Sequence, residues 1–248
     1  MAIKITKKML TNNDCYKQGK TIKPTGIVVH STGCNQTNAE VFIKSWNRSG
    51  IEKAVHAFID ANGIYQTLPF TMRCWGCGKG SKGSYNNSHI QFEICEDNLK
   101  SKEYFNNVYN KAVELCAYLC TKYNINPLNI VCHSEAHKLG YASNHADVMH
   151  WFPKHSKSMD IFRSDVLTIL TPTKTVTAKS NKIDIYWLQI KLNQVAKANL
   201  TVDGVYGSKT QQAVLNYWKQ LNWNKDGKDD GTKAGAKTIN ALVSGRIK

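Results

Sequence analysis

The sequence predicts an α/β domain, with a mixed central β-sheet flanked by helices, followed by a small all-α three-helix bundle. Three observations predict it. Short β-branched runs at 26–30, 55–60, 89–95 and 127–132 alternate with amphipathic helical segments, the pattern of strands packed under helices. Residues 171–180, Thr-Pro-Thr-Lys-Thr-Val-Thr-Ala-Lys-Ser, have a linker's composition and no hydrophobic periodicity. Beyond them, Asp203-Gly-Val-Tyr-Gly and Asp230-Gly-Thr-Lys-Ala-Gly echo each other, each a glycine-rich turn leading into a helix. The expected division is 1–170, a linker at 171–180, and 181–248.

Taken in order, residues 1–25 are basic and polar and read as an irregular lead-in closed by Pro24. The run Gly-Ile-Val-Val-His30 reads as a buried strand. Thr37 or Asn38 can cap a helix reaching about Asn47, with Val41, Phe42, Ser45 and Trp46 on its inner face. Residues 55–60 and 64–68 form a hairpin signal around Asn62-Gly63, a pair that accepts positive φ. The Gly-, Ser- and Asn-rich stretch 74–87 is a loop. Alternation across 89–95 places Gln91, Glu93 and Cys95 on the face of His89.

The strongest helix spans 102–124, with Phe105, Val108, Ala112, Leu115, Cys116, Leu119 and Tyr123 at helical spacing. A short strand at 127–132 then delivers His133 to a loop reaching Pro153. Loops of that length are usually functional. Ser158 caps a helix to Leu170, with Ile161, Phe162, Val166, Leu167 and Leu170 inward. In the C-terminal part, 183–195 supplies a first helix, and Ser208 with Gln211 can form a capping box.

A chain of 248 residues that is 42% hydrophobic has ample material for a packed core. Its formal charge is +15, and both parts are basic: 20 Lys+Arg against 13 Asp+Glu over 1–170, and 11 against 5 over 181–248. Such a balance favours a polyanionic partner, either nucleic acid or an anionic cell wall. Only four of the 33 cationic residues are arginine. That suits diffuse attraction rather than base readout, so nucleic acid is not expected.

No run is long enough to span a membrane, and the N-terminus lacks the apolar segment of an export signal. The expected life history is therefore synthesis in a reducing cytosol, with free thiols and no membrane insertion. Cys74-Trp-Gly-Cys77 is an isolated C-x-x-C without the second paired turn that a structural zinc needs.

The chemistry concentrates in residues 131–155, which hold five of the eight histidines and one well-placed acid, Asp147. Two neutral imidazoles and one carboxylate, with a position left for water, are the ligand set of a catalytic zinc. His30, at the end of a strand, and the histidines of this stretch are the candidate imidazoles. Asp147 is the candidate third ligand, with His145, His150 and His155 as rivals.

With these residues in view, 22–170 resembles the zinc-dependent N-acetylmuramoyl-L-alanine amidases, the family that includes peptidoglycan recognition proteins and phage lysozyme-type amidases. The resemblance rests on the strand-end His30-Ser-Thr, on His133-Ser-Glu, on Ile90-Gln-Phe-Glu93 and on Trp75-Gly-Cys-Gly78. Residues 183–245 resemble the three-helix peptidoglycan-binding domain, through Trp187-Leu-Gln, Leu192-Asn, Val202-Asp-Gly-Val-Tyr-Gly, Thr210 and Ala213-Val. The resemblance implies Zn2+ held by His30, His133 and Asp147, with Glu93 moving protons. His145 stands where the family often has a lysine, and is the candidate to stabilise the oxyanion. Val148 stands where the family usually has proline.

His56, Trp75 and Trp151 are candidates to line a substrate cleft, with core burial as the alternative for each. Tyr206, Tyr217, Trp218 and Trp223 are candidates for a glycan-stacking groove. The implied function is hydrolysis of the amide between N-acetylmuramic acid and L-alanine in bacterial peptidoglycan, by a monomer that also dwells on anionic wall polymers. Without an export signal, a phage endolysin is implied, made in the host cytoplasm and acting on the wall after release. A non-catalytic recognition protein and a host autolysin are the alternatives.

Overall fold

The structure is a computed structural model and describes residues 3–223 and 227–247. The chain divides into two compact units, Met1–Ser164 and Asp165–Lys248. The first is built on a six-stranded mixed sheet. Its strands are β1 (Ile5–Lys7), β2 (Gly26–Asn35), β3 (Ala57–Asp60), β4 (Gly63–Gln66), β5 (His89–Glu96) and β6 (Ile130–Cys132), in the order β1-β4-β3-β5-β2-β6. Every neighbouring pair is parallel except the β3–β4 hairpin. Ile27, Val28 and Val29 of β2 and Ile90, Phe92 and Ile94 of β5 are fully buried, as expected of central parallel strands covered on both faces.

Four helices lie wholly in this unit among the described residues, α1 (Asp14–Gln18), α2 (Ala39–Trp46), α3 (Lys102–Tyr123) and α4 (His133–Lys138), and a fifth, α5 (Met159–Ile169), begins in it. Ser101 caps α3 by accepting from Tyr104 N–H, and Asn124 ends it in the left-handed conformation. Phe105 of α3 anchors an aromatic cluster, with ring centroids 5.2 Å from Trp151 and 5.6 Å from Phe152.

Several local expectations are corrected. The lead-in is not irregular, because it contributes β1 and α1. Asn38, not Thr37, caps α2, and the buried face is Ala39, Ile43 and Trp46, while Val41 is exposed. Ile161 likewise points outward from α5. Neither Asn62 nor Gly63 adopts positive φ. The hairpin closes instead on the Asp60 carboxylate, which accepts from the N–H groups of both residues at 2.8 and 3.0 Å.

In the second unit, α6 (Lys182–Ala196), α7 (Ser208–Gln220) and α8 (Ala236–Val243) form the three expected helices. The unit is not all-α, however. Val176–Thr177 (β7) pairs antiparallel with Lys233–Ala234 (β8), so part of the stretch read as a linker belongs to this unit. Residues 165–170 group with it too, where Trp187 Nε1 donates to the Leu167 carbonyl at 3.0 Å. The caps of α7 and α8 are Gly207 and Gly235, not a Ser208–Gln211 box.

The glutamine of Trp187-Leu-Gln has a structural task. Gln189 Nε2 donates to Asp203 Oδ1 at 2.8 Å, while its Oε1 accepts from the N–H groups of Asp203 and Gly204. This pins the glycine-rich turn to α6. Gly204 sits at φ +71°, and a Cβ there would meet the Tyr186 ring at 2.8 Å, so both conformation and space demand glycine.

Two buried histidines give the fold a pH limit. His56 donates from Nε2 to the Met72 carbonyl at 2.8 Å and accepts the Gln91 N–H at Nδ1, and burial depresses its pKa to about 4. Burial also depresses His89 to about 4. Both are neutral when folded but take a proton near their ordinary pKa when unfolded. Their stabilisation is therefore complete above the unfolded value of about 6.5 and is lost as pH falls towards about 4. The loss amounts to roughly 3 kcal/mol per histidine. Urea unfolding at about pH 7 and about pH 4.5 should show the midpoint drop, and an unchanged midpoint contradicts the assignment.

Candidate active site

The carboxyl ends of the adjacent strands β5, β2 and β6 converge, the place where open α/β sheets gather ligands. His30 of β2 is the direct register partner of Glu93 of β5. Val29 pairs with Cys132 of β6, so His133 follows immediately beyond that strand end as the first residue of α4. Glu135 fastens α4 in place. It accepts the Cys132 N–H at 3.1 Å and forms a two-pronged pair with Arg163 of α5, at 3.0 and 3.1 Å. Asp147 arrives from the loop after α4, whose carbonyl accepts the Ser134 N–H at 3.2 Å.

The three side chains meet. His30 Nδ1 lies 2.9 Å from Asp147 Oδ2 and 3.1 Å from His133 Nδ1, and His133 Nδ1 lies 3.5 Å from the same oxygen. Among the described residues, this is the one group of three His, Cys, Asp or Glu side chains arranged to hold a metal ion. His133 Nε2 faces the Ser143 carbonyl at 3.0 Å. A carbonyl only accepts, so the proton of neutral His133 is on Nε2 and Nδ1 is bare. A bare ring nitrogen beside a carboxylate and a second imidazole suits a cation held between them. Ligand atoms about 2.0–2.1 Å from a tetrahedral zinc stand roughly 3.3 Å apart, which the observed separations match. The residues present therefore fit a zinc ion. Burial works to raise the Asp147 carboxyl, yet its contacts with His133 and His30 hold it well below the ordinary range.

These residues line a cleft of about 630 Å³, shared by Glu93, His145, Trp75, Trp46, Lys53 and Glu96. Glu93 Oε2 is buried with no hydrogen-bond partner. Burial pushes its carboxyl up to about 7, with His30 pulling it down and Asp147 pushing it further up. His145 is exposed at the rim, its ring 4.6 Å from that of His133 and its Nδ1 3.2 Å from Ser143 Oγ.

Two candidates for substrate contact are corrected. His56 is fully buried, with both ring nitrogens bonded to backbone groups, and does not line the cleft. Trp151 is also fully buried, packed on Phe105 and Phe152. Trp75 alone of the three reaches the cleft. Of the rival third ligands, His145 and His150 line the same cleft, but His150 pairs with Glu96 at 3.0 Å, and His155 stacks on Phe105 at 4.1 Å. Glu96 and Lys53 are cleft residues that sequence reasoning missed. Glu96 had a signal, since it ends the strand that carries Glu93.

In the second unit the expected aromatic groove is largely core. Tyr206, Tyr217 and Trp218 are buried, and their polar atoms bond to the Gly231 carbonyl, the Arg246 carbonyl and Thr238 Oγ1. Trp223 is the half-buried exception, with Lys237 Nζ 4.3 Å from its ring centroid. No helix among the described residues is long and apolar enough to cross a membrane.

Comparison with known proteins places this geometry. Residues 20–150 match the N-acetylmuramoyl-L-alanine amidase family, and residues 181–242 match a peptidoglycan binding domain. The chain is 28% identical over 240 residues to the N-acetylmuramoyl-L-alanine amidase CwlH of Bacillus subtilis (strain 168), an alignment spanning 87% of this chain and 90% of that protein. Among solved structures, the catalytic domain of XlyA shares the fold with a TM-score of 0.55 at 22% identity, over 66% of this chain and 99% of that one. The PlyG catalytic domain superposes with a TM-score of 0.55 at 25% identity, over 67% and 94% of the two chains.

Proposed function

Because this chain belongs to the N-acetylmuramoyl-L-alanine amidase family, we propose that it cleaves the amide between the lactyl group of N-acetylmuramic acid and L-alanine, with zinc held by His30, His133 and Asp147. The observation that carries this reading is the convergence of two imidazole nitrogens and a carboxylate oxygen beside Glu93, whose buried Oε2 has no hydrogen-bond partner. Zinc, when bound, lowers the pKa of water towards about 7 and polarises the amide carbonyl.

The chain's own residues do the rest. Glu93, with its pKa near neutrality, takes the proton of the attacking water. The hydroxyl adds to the lactyl carbonyl carbon, and Glu93 returns the proton to the alanine nitrogen as the C–N bond breaks. His145, at the rim beside His133, donates to the carbonyl oxygen as it gains charge. Trp75 offers a flat apolar wall to the sugar or stem peptide. Residues 181–248, with a net charge of +6, let the chain dwell on the wall, drawn to anionic polymers as well as peptidoglycan.

A purely recognising protein has no use for a carboxyl oxygen that is buried without a partner beside such a triad. Activity on the wall of a bacterial host, as a phage endolysin or as an autolysin, follows from the same chemistry. Product analysis of digested peptidoglycan tests it. New N-terminal L-alanine, without new reducing sugar ends or internal peptide cuts, is expected. Reducing ends in place of free alanine overturn the reading.

A further inference from the structure

Gln91 lies on β5 two residues before Glu93, so both side chains emerge on the face that carries His30. It is fully buried, and its Oε1 stands 2.9 Å from His30 Nε2. That contact alone leaves both the amide orientation and the imidazole tautomer open, because the two ends of an amide have nearly the same shape. The far end of the amide settles them.

One terminal atom of Asn86 faces the backbone N–H groups of Gly76 at 3.0 Å and Cys77 at 3.1 Å. Backbone N–H groups only donate, so that atom is the oxygen. The inner end of the Gln91 amide lies 3.0 Å from this same oxygen and is therefore the NH₂ group. Its second hydrogen points to Cys77 Sγ at 3.4 Å. Gln91 thus presents its oxygen to His30, and an amide oxygen requires an N–H at His30 Nε2. A neutral imidazole protonated there has a bare Nδ1, the atom that faces His133 and Asp147.

We propose that Gln91 is a positioning residue: oriented by Asn86 and the Gly76 and Cys77 amides, it holds His30 as the Nε2–H tautomer and keeps its Nδ1 lone pair aimed at the metal position. The inference rests on reading His30 as a zinc ligand. It gives the loop carrying Trp75 a second task, since the glycine of Trp75-Gly-Cys must also leave room. A Cβ on Gly76 would overlap Gln91 Oε1. The backbone is fixed as well, because the Gln91 N–H donates to His56 Nδ1 at 3.0 Å. His133 takes its tautomer from a main-chain carbonyl, which no substitution removes. His30 takes its tautomer from a side chain, so the relay can be tested by mutation.

The full chain, Gln91→Leu and Gln91→Glu are compared by zinc affinity, measured in competition with a chelating dye. Long-range proton–nitrogen spectra of the unmodified chain, zinc-loaded and metal-free at alkaline pH, report the His30 tautomer. We expect the proton on His30 Nε2. Losing such an outer-shell partner typically weakens metal binding by about 10–100-fold, the loss expected for Gln91→Leu. Gln91→Glu should bind within a few-fold of the unmodified chain, because its outer oxygen still accepts from Nε2–H while its inner oxygen, protonated, donates to Asn86 Oδ1.

A proton on Nδ1, or a leucine variant that holds zinc as tightly as the unmodified chain, overturns the relay. Equal weakening in the glutamate variant also overturns it, since packing rather than the hydrogen bond would then be responsible. If the leucine variant does not fold, the spectra of the unmodified chain decide. An unmodified chain that binds no zinc defeats the ligand reading, and the metal-free spectrum then judges the tautomer by itself.

Discussion

Glu93→Gln is expected to lower the turnover of peptidoglycan by about 10²–10⁴-fold, the usual worth of a positioned general acid–base group. The substitution keeps the size of the side chain and removes its ability to accept and return a proton. Its neighbours should be undisturbed, because Oε2 has no hydrogen-bond partner to lose. The register pairing of Glu93 with His30 is a backbone property that survives the change. Zinc should therefore bind at unchanged stoichiometry, and the thermal midpoint should hold or rise as a buried carboxyl becomes a neutral amide. Metal content, melting temperature and alanine release measured on one preparation separate these outcomes. Unimpaired turnover removes Glu93 from the chemistry, and lost zinc makes it a ligand support instead.

His133→Ala and Asp147→Ala are expected to cost more, because they remove the ion and with it the activation of water and carbonyl. Turnover should fall to the limit of detection in both. Metal analysis should find no zinc after a chelator wash that leaves the unmodified chain loaded. Stability provides an independent readout. A ligand that binds only the folded chain adds roughly 4 kcal/mol when its free concentration is about a thousand times Kd, so chelation should lower the melting temperature of the unmodified chain. The same chelator should leave the melting of the Asp147→Ala variant unmoved. Retained zinc and turnover in that variant would shift the third ligand to another side chain, with the rim residue His145 the first to test.

Much of this site was legible because its chemistry sits at the ends of apolar strands. The runs before His30 and His133 are β-branched and short, so a histidine after each marks the site end of the sheet, although β2 continues past His30 to Asn35 rather than ending there. What was hidden is polar or very short. β1 is three residues, Ile-Thr-Lys, and only pairing with β4 makes it a strand. α4 begins on the proposed ligand His133 and reads His-Ser-Glu-Ala-His-Lys, without an apolar stripe, and its order comes from Glu135 and Arg163.

Residue type misled where burial and exposure compete for the same side chain. His56 and Trp151 suit a cleft and a core equally well by chemistry, and three-dimensional neighbours put both in the core. Val41 and Ile161 show the converse, since a helix face one position off leaves an apolar residue in solvent. Gln91 was assigned to the correct face by strand alternation. Its bond to His30 appears only when β5 and β2 are set side by side.

Titration of metal-free protein with zinc, following alanine release from purified cell walls, tests the central claim most directly. Turnover should rise linearly from zero and level off at one zinc per chain, with the Asp147→Ala variant flat throughout. Full turnover by the metal-free protein would contradict the account, as would a plateau reached without zinc bound at His30, His133 and Asp147.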